Sequence, residues 1–383
     1  MGLYLHIPFC KTKCHYCDFN AYAGLGAWHA RYVAALRREI ALAGERYGPL
    51  AMRTLFFGGG TPSLLPPEAI AALIGDARRH HGVRPGAEVT LEANPATVEL
   101  AGLRALRAAG VNRLSFGVQS LRPHGLRALG RDHSAAEAVA SYEQARAAGF
   151  ANVNLDFIYG WPGQTLADWD ADLDVMLALR PEHLSLYALT VEQGTPLARL
   201  VAQGRVRPAD DDLCADMYER AAERLAAAGY RHYEISNWAR AAAPGGPALV
   251  CEHNLIYWRN EPYLGLGCGA HSCFGGRRFW NVLSPQEYVC RVEQGLPVAA
   301  GGEALTPALA LAEEVMLRLR LDEGLDFVAV AARHGADPRA VYGPALAELA
   351  ALGLLDLDAA GARLTLRGRL LSNAVFVRLL PAA

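Results

Sequence analysis

Three cysteines near the start of the chain, Cys10, Cys14 and Cys17 in the run HIPFCKTKCHYCDF, carry the strongest chemical signal in the sequence. Their C-x3-C-x2-C spacing puts three thiolates on one short loop, enough to hold three irons of a 4Fe-4S cubane and leave the fourth iron open. A closed zinc site is the competing reading; it wants four ligands, and His15 is placed to supply the fourth. An open iron has a use that a closed site lacks. It can chelate the amino and carboxylate groups of S-adenosylmethionine (SAM), so that one electron from the cluster cleaves a carbon-sulfur bond and releases a 5'-deoxyadenosyl radical, while the protein positions the partners and excludes water and oxygen. Lys11 and Lys13 are the only lysines, and both lie in this loop. Arginine-rich, GC-rich coding accounts for the bias; a role for both lysines beside the cluster is the sharper alternative.

The elements that must hold this loop repeat a pattern over the first 190 residues: an apolar or β-branched run, a Gly-rich or polar turn, then an Ala/Leu/Arg stretch at helical spacing. Strands are predicted at Leu3–Ile7, Thr54–Phe57, Glu88–Glu92, Arg113–Val118, Asn152–Ile158 and His183–Ala188. Helices are predicted at Trp28–Arg46, Pro66–His81, Ala135–Ala148, Leu166–Ala178 and Asp210–Ala228. Six strands alternating with helices imply an α/β fold with a parallel sheet, a partial (β/α)6 TIM-like barrel, whose chemistry lies at the C-terminal ends of the strands. The run AAAPGGP at 241–247 reads as a linker, beyond which the βα rhythm stops. Helices followed by a hairpin of Leu354–Leu357 and Arg363–Leu366, with the turn at Asp358–Gly361, suggest a small winged-helix-like α+β unit. The predicted division is a barrel over 1–238, a connecting segment over 239–302 and a C-terminal unit over 303–383.

With the triad, the run GGGTP (Gly58 to Pro62) after the second strand and LEANP around Glu92 after the third, the chain resembles the radical SAM superfamily through its whole barrel. The resemblance implies that Gly59, Gly60 and Thr61 bring backbone groups to the methionine part of SAM and that Glu92 binds a ribose hydroxyl. The motifs HIPFC, GGGTP, GVQS, DFIYG and YEISN are similar to the coproporphyrinogen III dehydrogenase-like branch. There, Gln119, Arg131, Asp156 and Ala188 match ligand-contacting positions, and Tyr4 and Tyr16 match nucleoside-contacting ones. A satisfied polar network in the barrel mouth is the plainer role for Gln119, Arg131 and Asp156. Two departures separate the chain from the dehydrogenases themselves: Cys17 is followed by Asp18 and Phe19 where they carry another cysteine, and the chain begins two residues before the first strand where they carry a long extension. HNLIYW matches the H-N-x-x-Y-W signature of haem-binding members, with His253, Asn254, Tyr257 and Trp258. An imidazole is an ordinary haem ligand and the two rings offer flat apolar faces. Equally, His253 could donate one hydrogen bond while the rings fill a core.

The resemblance therefore implies a haem chaperone that carries haem to an acceptor apoprotein, supported by a 4Fe-4S cluster, SAM and an electron donor. Its alternatives are the dehydrogenase and a methyltransferase that opens the haem ring. A net charge of -2 with no run of like charges gives no field for nucleic acid. No apolar stretch reaches the roughly 18 residues of a membrane span, and no basic amphipathic helix supports membrane contact. The opening residues, with His6 and Pro8 ahead of three cysteines, do not resemble a signal peptide. The expectation is a cytoplasmic protein whose other cysteines, Cys268 included, are inert thiols.

Overall fold

A computed structural model describes residues 1–243 and 245–380. Six parallel strands form the barrel wall: β1 (Gly2–Ile7), β2 (Thr54–Gly59), β3 (Glu88–Ala93), β4 (Arg113–Gln119), β5 (Val153–Tyr159) and β6 (His183–Ala188). They pair in sequence order, as right-handed βα connections dictate. Alternation along each strand divides the wall into two faces. Leu3, Leu5, Leu55, Phe57, Leu91, Leu114, Phe116, Leu155, Phe157 and Leu184 are buried against the helices. The other face is polar, and residues two apart hydrogen-bond across it, as do Tyr4 with His6 and Asn154 with Asp156.

Helices α1 (His29–Tyr47), α2 (Pro67–His81), α3 (Leu100–Ala109), α4 (Pro123–Leu129), α5 (Ala135–Ala147), α6 (Leu166–Leu179), α7 (Pro196–Ala202) and α8 (Asp211–Ala227) follow the strands. Capping boxes Ser134/Glu137 and Thr165/Asp168 start α5 and α6. The short helices α3 and α4 lie outside the sequence expectation; each is entered from extended backbone and stopped by a left-handed glycine, Gly110 or Gly130.

Beyond α8 the sheet continues instead of stopping. Strand β8 (Asn237–Ala239) adds antiparallel to β6, and β7 (Arg231–Glu234) pairs antiparallel with β8 at the sheet's edge. The segment predicted as a connection carries helix α9 (Glu252–Trp258) and then β9 (Tyr263–Leu266), which pairs parallel with β1. Strands β10 (His271–Phe274), β11 (Arg277–Asn281) and β12 (Ala299–Ala304) extend that edge, with α10 (Pro285–Glu293) between the last two. The sheet has twelve strands, ordered 12-11-10-9-1-2-3-4-5-6-8-7. Within the predicted linker, Ala241 pairs with Ala248 as an isolated bridge, and Pro244 lies outside the described residues.

The C-terminal unit runs α11 (Pro307–Leu319), β13 (Leu325–Asp326), α12 (Phe327–His334), α13 (Pro338–Ala351), β14 (Leu355–Leu357) and β15 (Gly361–Leu364), then α14 (Leu366–Leu370) and α15 (Ser372–Val377). Its own core includes Leu319, Phe327, Leu349 and Val375, and the three strands pair in a small sheet ordered 13-15-14. Helix, strand, two helices and a hairpin make the winged-helix arrangement. The second hairpin strand ends two residues earlier than predicted, because the Thr365 hydroxyl accepts from Gly368 N–H and turns the chain into α14. Residues 381–383 lie outside the described residues.

Candidate functional site

The loop after β1 is pinned from both sides. Phe9–Cys10 pairs with Tyr22–Ala23, His15 N–H donates to Leu129 O at 3.3 Å, and Leu197 N–H donates to His15 O at 2.9 Å. This fixes Cys10, Cys14 and Cys17 along one side of a cleft of about 390 Å³ at the C-terminal ends of the strands. Tyr16, Gly59, Gly60, Thr61, Glu92, Gln119, Arg131, Asp156 and Ala188 line the same cleft, so most of the predicted ligand set converges there. Tyr4 does not. It lines an adjoining cavity, also about 390 Å³, which shares Phe19, Gly59 and Glu92 with the first.

Local physics explains the sulfur side. Burial raises the Cys10 thiol and pushes Cys17 up to about 11. Cys10 receives a hydrogen bond from Thr61 Oγ1 at 3.6 Å. Arg131, half-buried, donates from Nη1 to Cys14 Sγ at 3.0 Å and from Nη2 to Gly117 O at 2.7 Å. Its Nε has no partner among the described residues. Among those residues no three His, Cys, Asp or Glu side chains meet closely enough to share one metal ion. A cubane asks for less convergence, since each thiolate takes its own iron. A half-buried thiol triad open to a cleft fits that demand.

The opposite wall is glycine for a steric reason. A Cβ on Gly59, which has φ +118°, would lie 2.5 Å from the His6 ring, and one on Gly60 would lie 2.6 Å from Phe9 O. The turn's N–H groups are used within the fold, Gly59 donating to Glu92 Oε2 at 3.1 Å, Gly60 to Ile7 O at 2.8 Å and Thr61 to Phe9 O at 2.7 Å, so the bare turn contributes close backbone approach at the cleft. Burial, reinforced by the Asp156 carboxylate, lifts Glu92 to about 8. Asp156 is also raised by burial, against hydrogen bonds from Asn154, Ser185 and Ser115. Two crowded, desolvated carboxyls favour hydroxyl donors or a cation between them. Gln119 takes φ +68°, the left-handed region that non-glycine residues seldom occupy. Asn94, Ser115 and Tyr187 line the cleft without having been singled out from sequence. Strand parity was the available signal for two of them, since Asn94 follows Glu92 by two and Ser115 precedes Gln119 by four.

The HNLIYW residues lie elsewhere. Helix α9 plugs the barrel floor, at the N-terminal ends of the strands, where Glu88 receives its His253 and Glu252 N–H groups at 3.0 Å. His253 is 1% exposed. Its Nδ1 hydrogen-bonds Thr54 Oγ1 at 2.7 Å and its Nε2 hydrogen-bonds Tyr257 OH at 2.8 Å. Burial, then the Arg113 charge, lowers His253 to about 3, so the ring is neutral. Tyr257 reaches the adjoining cavity. Trp258 is half-buried under the Arg320 guanidinium, 4.2 Å from the ring centroid, and Asn254 is half-buried on the helix. Cys268 is fully buried beside Tyr32, as a filler would be.

Residues 4–176 match the Radical SAM superfamily and residues 305–371 match the HemN C-terminal domain. The chain is 43% identical over 382 residues to the heme chaperone HemW of Mycobacterium tuberculosis, covering 99% of this chain and 94% of that protein. It is 37% identical to heme chaperone HemW of Bacillus subtilis, covering 97% of each. The solved structure of coproporphyrinogen III oxidase (HemN) from Escherichia coli, a radical SAM enzyme, superposes with a TM-score of 0.84 at 26% identity, covering 99% of this chain and 89% of that one. With the fold, the cysteine loop and relatives matched along their length, the chain belongs to the radical SAM superfamily and, within its HemN-like branch, to the HemW family.

Proposed function

We propose that this protein is a haem chaperone, which binds haem and delivers it to an acceptor apoprotein, with a 4Fe-4S cluster and SAM supporting the transfer. The observation that carries this reading is the likeness to heme chaperone HemW across almost the whole chain, the HNLIYW helix included. Cys10, Cys14 and Cys17 would hold three irons, and the bound cluster would supply one electron, taken from a donor protein, to SAM. The Gly59–Thr61 turn, bare of bulky side chains, lets its backbone approach the methionine end, Glu92 accepts from a ribose hydroxyl, and Tyr16 and Ala188 border the nucleoside. Arg131 stabilises negative charge on the Cys14 sulfur. No helix among the described residues is long and apolar enough to cross a membrane, which agrees with a cytoplasmic carrier.

His253 imposes a condition on the motif's role. As an axial ligand it must first give up Thr54 or Tyr257, so haem at α9 requires the barrel floor to open.

A tetrapyrrole enzyme is the second reading, favoured by the match to coproporphyrinogen III oxidase. Anaerobic incubation of the cluster-loaded protein with haem, SAM and reductant, followed by chromatography of the recovered tetrapyrrole, separates the two. Intact bound haem supports the chaperone. A methylated or opened ring, or protoporphyrinogen formed from coproporphyrinogen in a parallel incubation, establishes the enzyme instead.

A further inference from the structure

A cavity of about 910 Å³, more than twice the volume of the cysteine cleft at about 390 Å³, lies on the outer face of the sheet extension. It is bounded by α1, by strands β9, β11 and β12, and by the turn after α10. Its size falls in the range of small-molecule sites, about 300–1,000 Å³. Leu42, Leu264, Phe274, Phe279, Leu296 and Val298 make most of it apolar. Leu42 and Leu296 are 47% and 51% exposed, which leaves an apolar surface in water.

Charge in the cavity is arranged with equal clarity. Glu39 at the closed end is fully engaged, accepting from Tyr288 OH at 2.6 Å, Gly267 N–H at 2.7 Å and Asn281 Nδ2 at 2.7 Å. It stabilises the fold and offers a ligand nothing. Arg46 and Arg277 line the cavity and are exposed, and neither has an ion pair among the described residues. Strand alternation puts Arg277 on the cavity side with Phe279, whereas Arg278 turns to the other face and pairs with Glu303 and Glu313. Tyr47 contacts the Phe274 ring at 5.6 Å, has the Arg46 guanidinium 5.2 Å from its own ring, and makes no hydrogen bond through its hydroxyl among the described residues. A tyrosine oxygen is an accepted axial ligand of haem iron.

We infer that this outer cavity is a haem site in which Tyr47 ligates the iron, the apolar walls cover the macrocycle, and Arg46 and Arg277 hold the two propionates. The inference rests on the haem-chaperone reading and moves the ligand away from His253, which the closed floor withholds. An open-mouthed outer pocket suits release to an acceptor; a barrel floor does not.

The test titrates hemin, and separately metal-free protoporphyrin IX, into the cluster-loaded full chain under anaerobic conditions. Reversing the charges with Arg46→Glu and Arg277→Glu together is expected to weaken both ligands at least about tenfold, the size of one or two lost charge-assisted contacts. Tyr47→Phe is expected to change the visible spectrum of bound hemin while protoporphyrin IX affinity stays within about twofold of wild type, because only iron has a bond to lose. Iron, sulfide and SAM binding should not move in either variant. Hemin binding and spectra unchanged in both variants, with loss confined to His253→Ala, overturns the outer site and leaves the chaperone standing. A wild-type chain that takes up no hemin overturns both.

Discussion

Cys10, Cys14 and Cys17 are half-buried at the edge of a cleft, whereas Cys251 and Cys268 are enclosed, and that difference predicts which substitutions matter. Cys14→Ala is expected to leave less than about a tenth of the wild-type acid-labile sulfide after anaerobic reconstitution, because a cubane with two protein thiolates is not retained. Cys268→Ala should keep nearly all of it; equal loss in both would remove the cluster assignment. Glu92 gives a pH signature. Its folded value of about 8 lies above the ordinary 4.5, so the native state holds a proton that the unfolded chain has released. Stability of the ligand-free protein therefore falls as pH rises between those two values, and Glu92→Gln should flatten that fall in urea melts taken across the window. An unchanged slope would mean that Asp156 and the other buried carboxyls carry it alone. The cysteine loop was legible because its spacing is local. The burial of His253 was not, because its Thr54 partner is 199 residues away and only the folded sheet brings them together.

At the scale of elements, the six barrel strands were legible from their apolar outer face, with boundaries set by the turns. The β9–β12 extension was not. β11 opens on Arg277 and Arg278, β12 carries Gly301 and Gly302, and the four strands take their place only because β9 finds the open edge of β1. The Gly59 turn and helix α9 carry the predictions at this scale. Gly59→Ala forces a Cβ into the His6 ring at positive φ, and a cost of about 1–3 kcal/mol with a matching loss of SAM affinity is expected from calorimetry. His253→Ala leaves Thr54 and Tyr257 unpaired in the floor and opens a void, so it should lower the urea-derived stability by about 2–4 kcal/mol. A variant as stable as wild type would show that the floor tolerates an opened helix, and would strengthen His253 as a ligand.

Across the whole molecule, the C-terminal unit is fastened to the barrel by Arg231–Asp322, Arg259–Glu323 and Arg320–Glu234. These are unequal. Glu234 is fully buried, so Arg320→Met strands a desolvated carboxylate and should cost about 2–4 kcal/mol and expose the unit to limited proteolysis. Arg231→Ala, in a solvent-screened pair, should cost under about 1 kcal/mol. Equal proteolytic release would contradict that ranking. One further span joins the cleft to the floor through the polar inner face. Cys251 N–H donates to Tyr233 OH at 3.2 Å, Tyr233 OH meets His183 Nε2 at 2.7 Å, His183 Nδ1 meets Asn154 Oδ1 at 2.6 Å, and Asn154 Nδ2 donates to Asp156 Oδ1 at 2.7 Å. The amide at one end and the carboxylate at the other allow a single sense of donation, so His183 carries its proton on Nδ1. The barrel's interior is thus polarised like a row of aligned magnets, anchored at one end by a backbone N–H that can only donate; Asp156→Asn, which keeps one acceptor oxygen but puts an NH₂ beside it, removes the charge that holds the row in that sense.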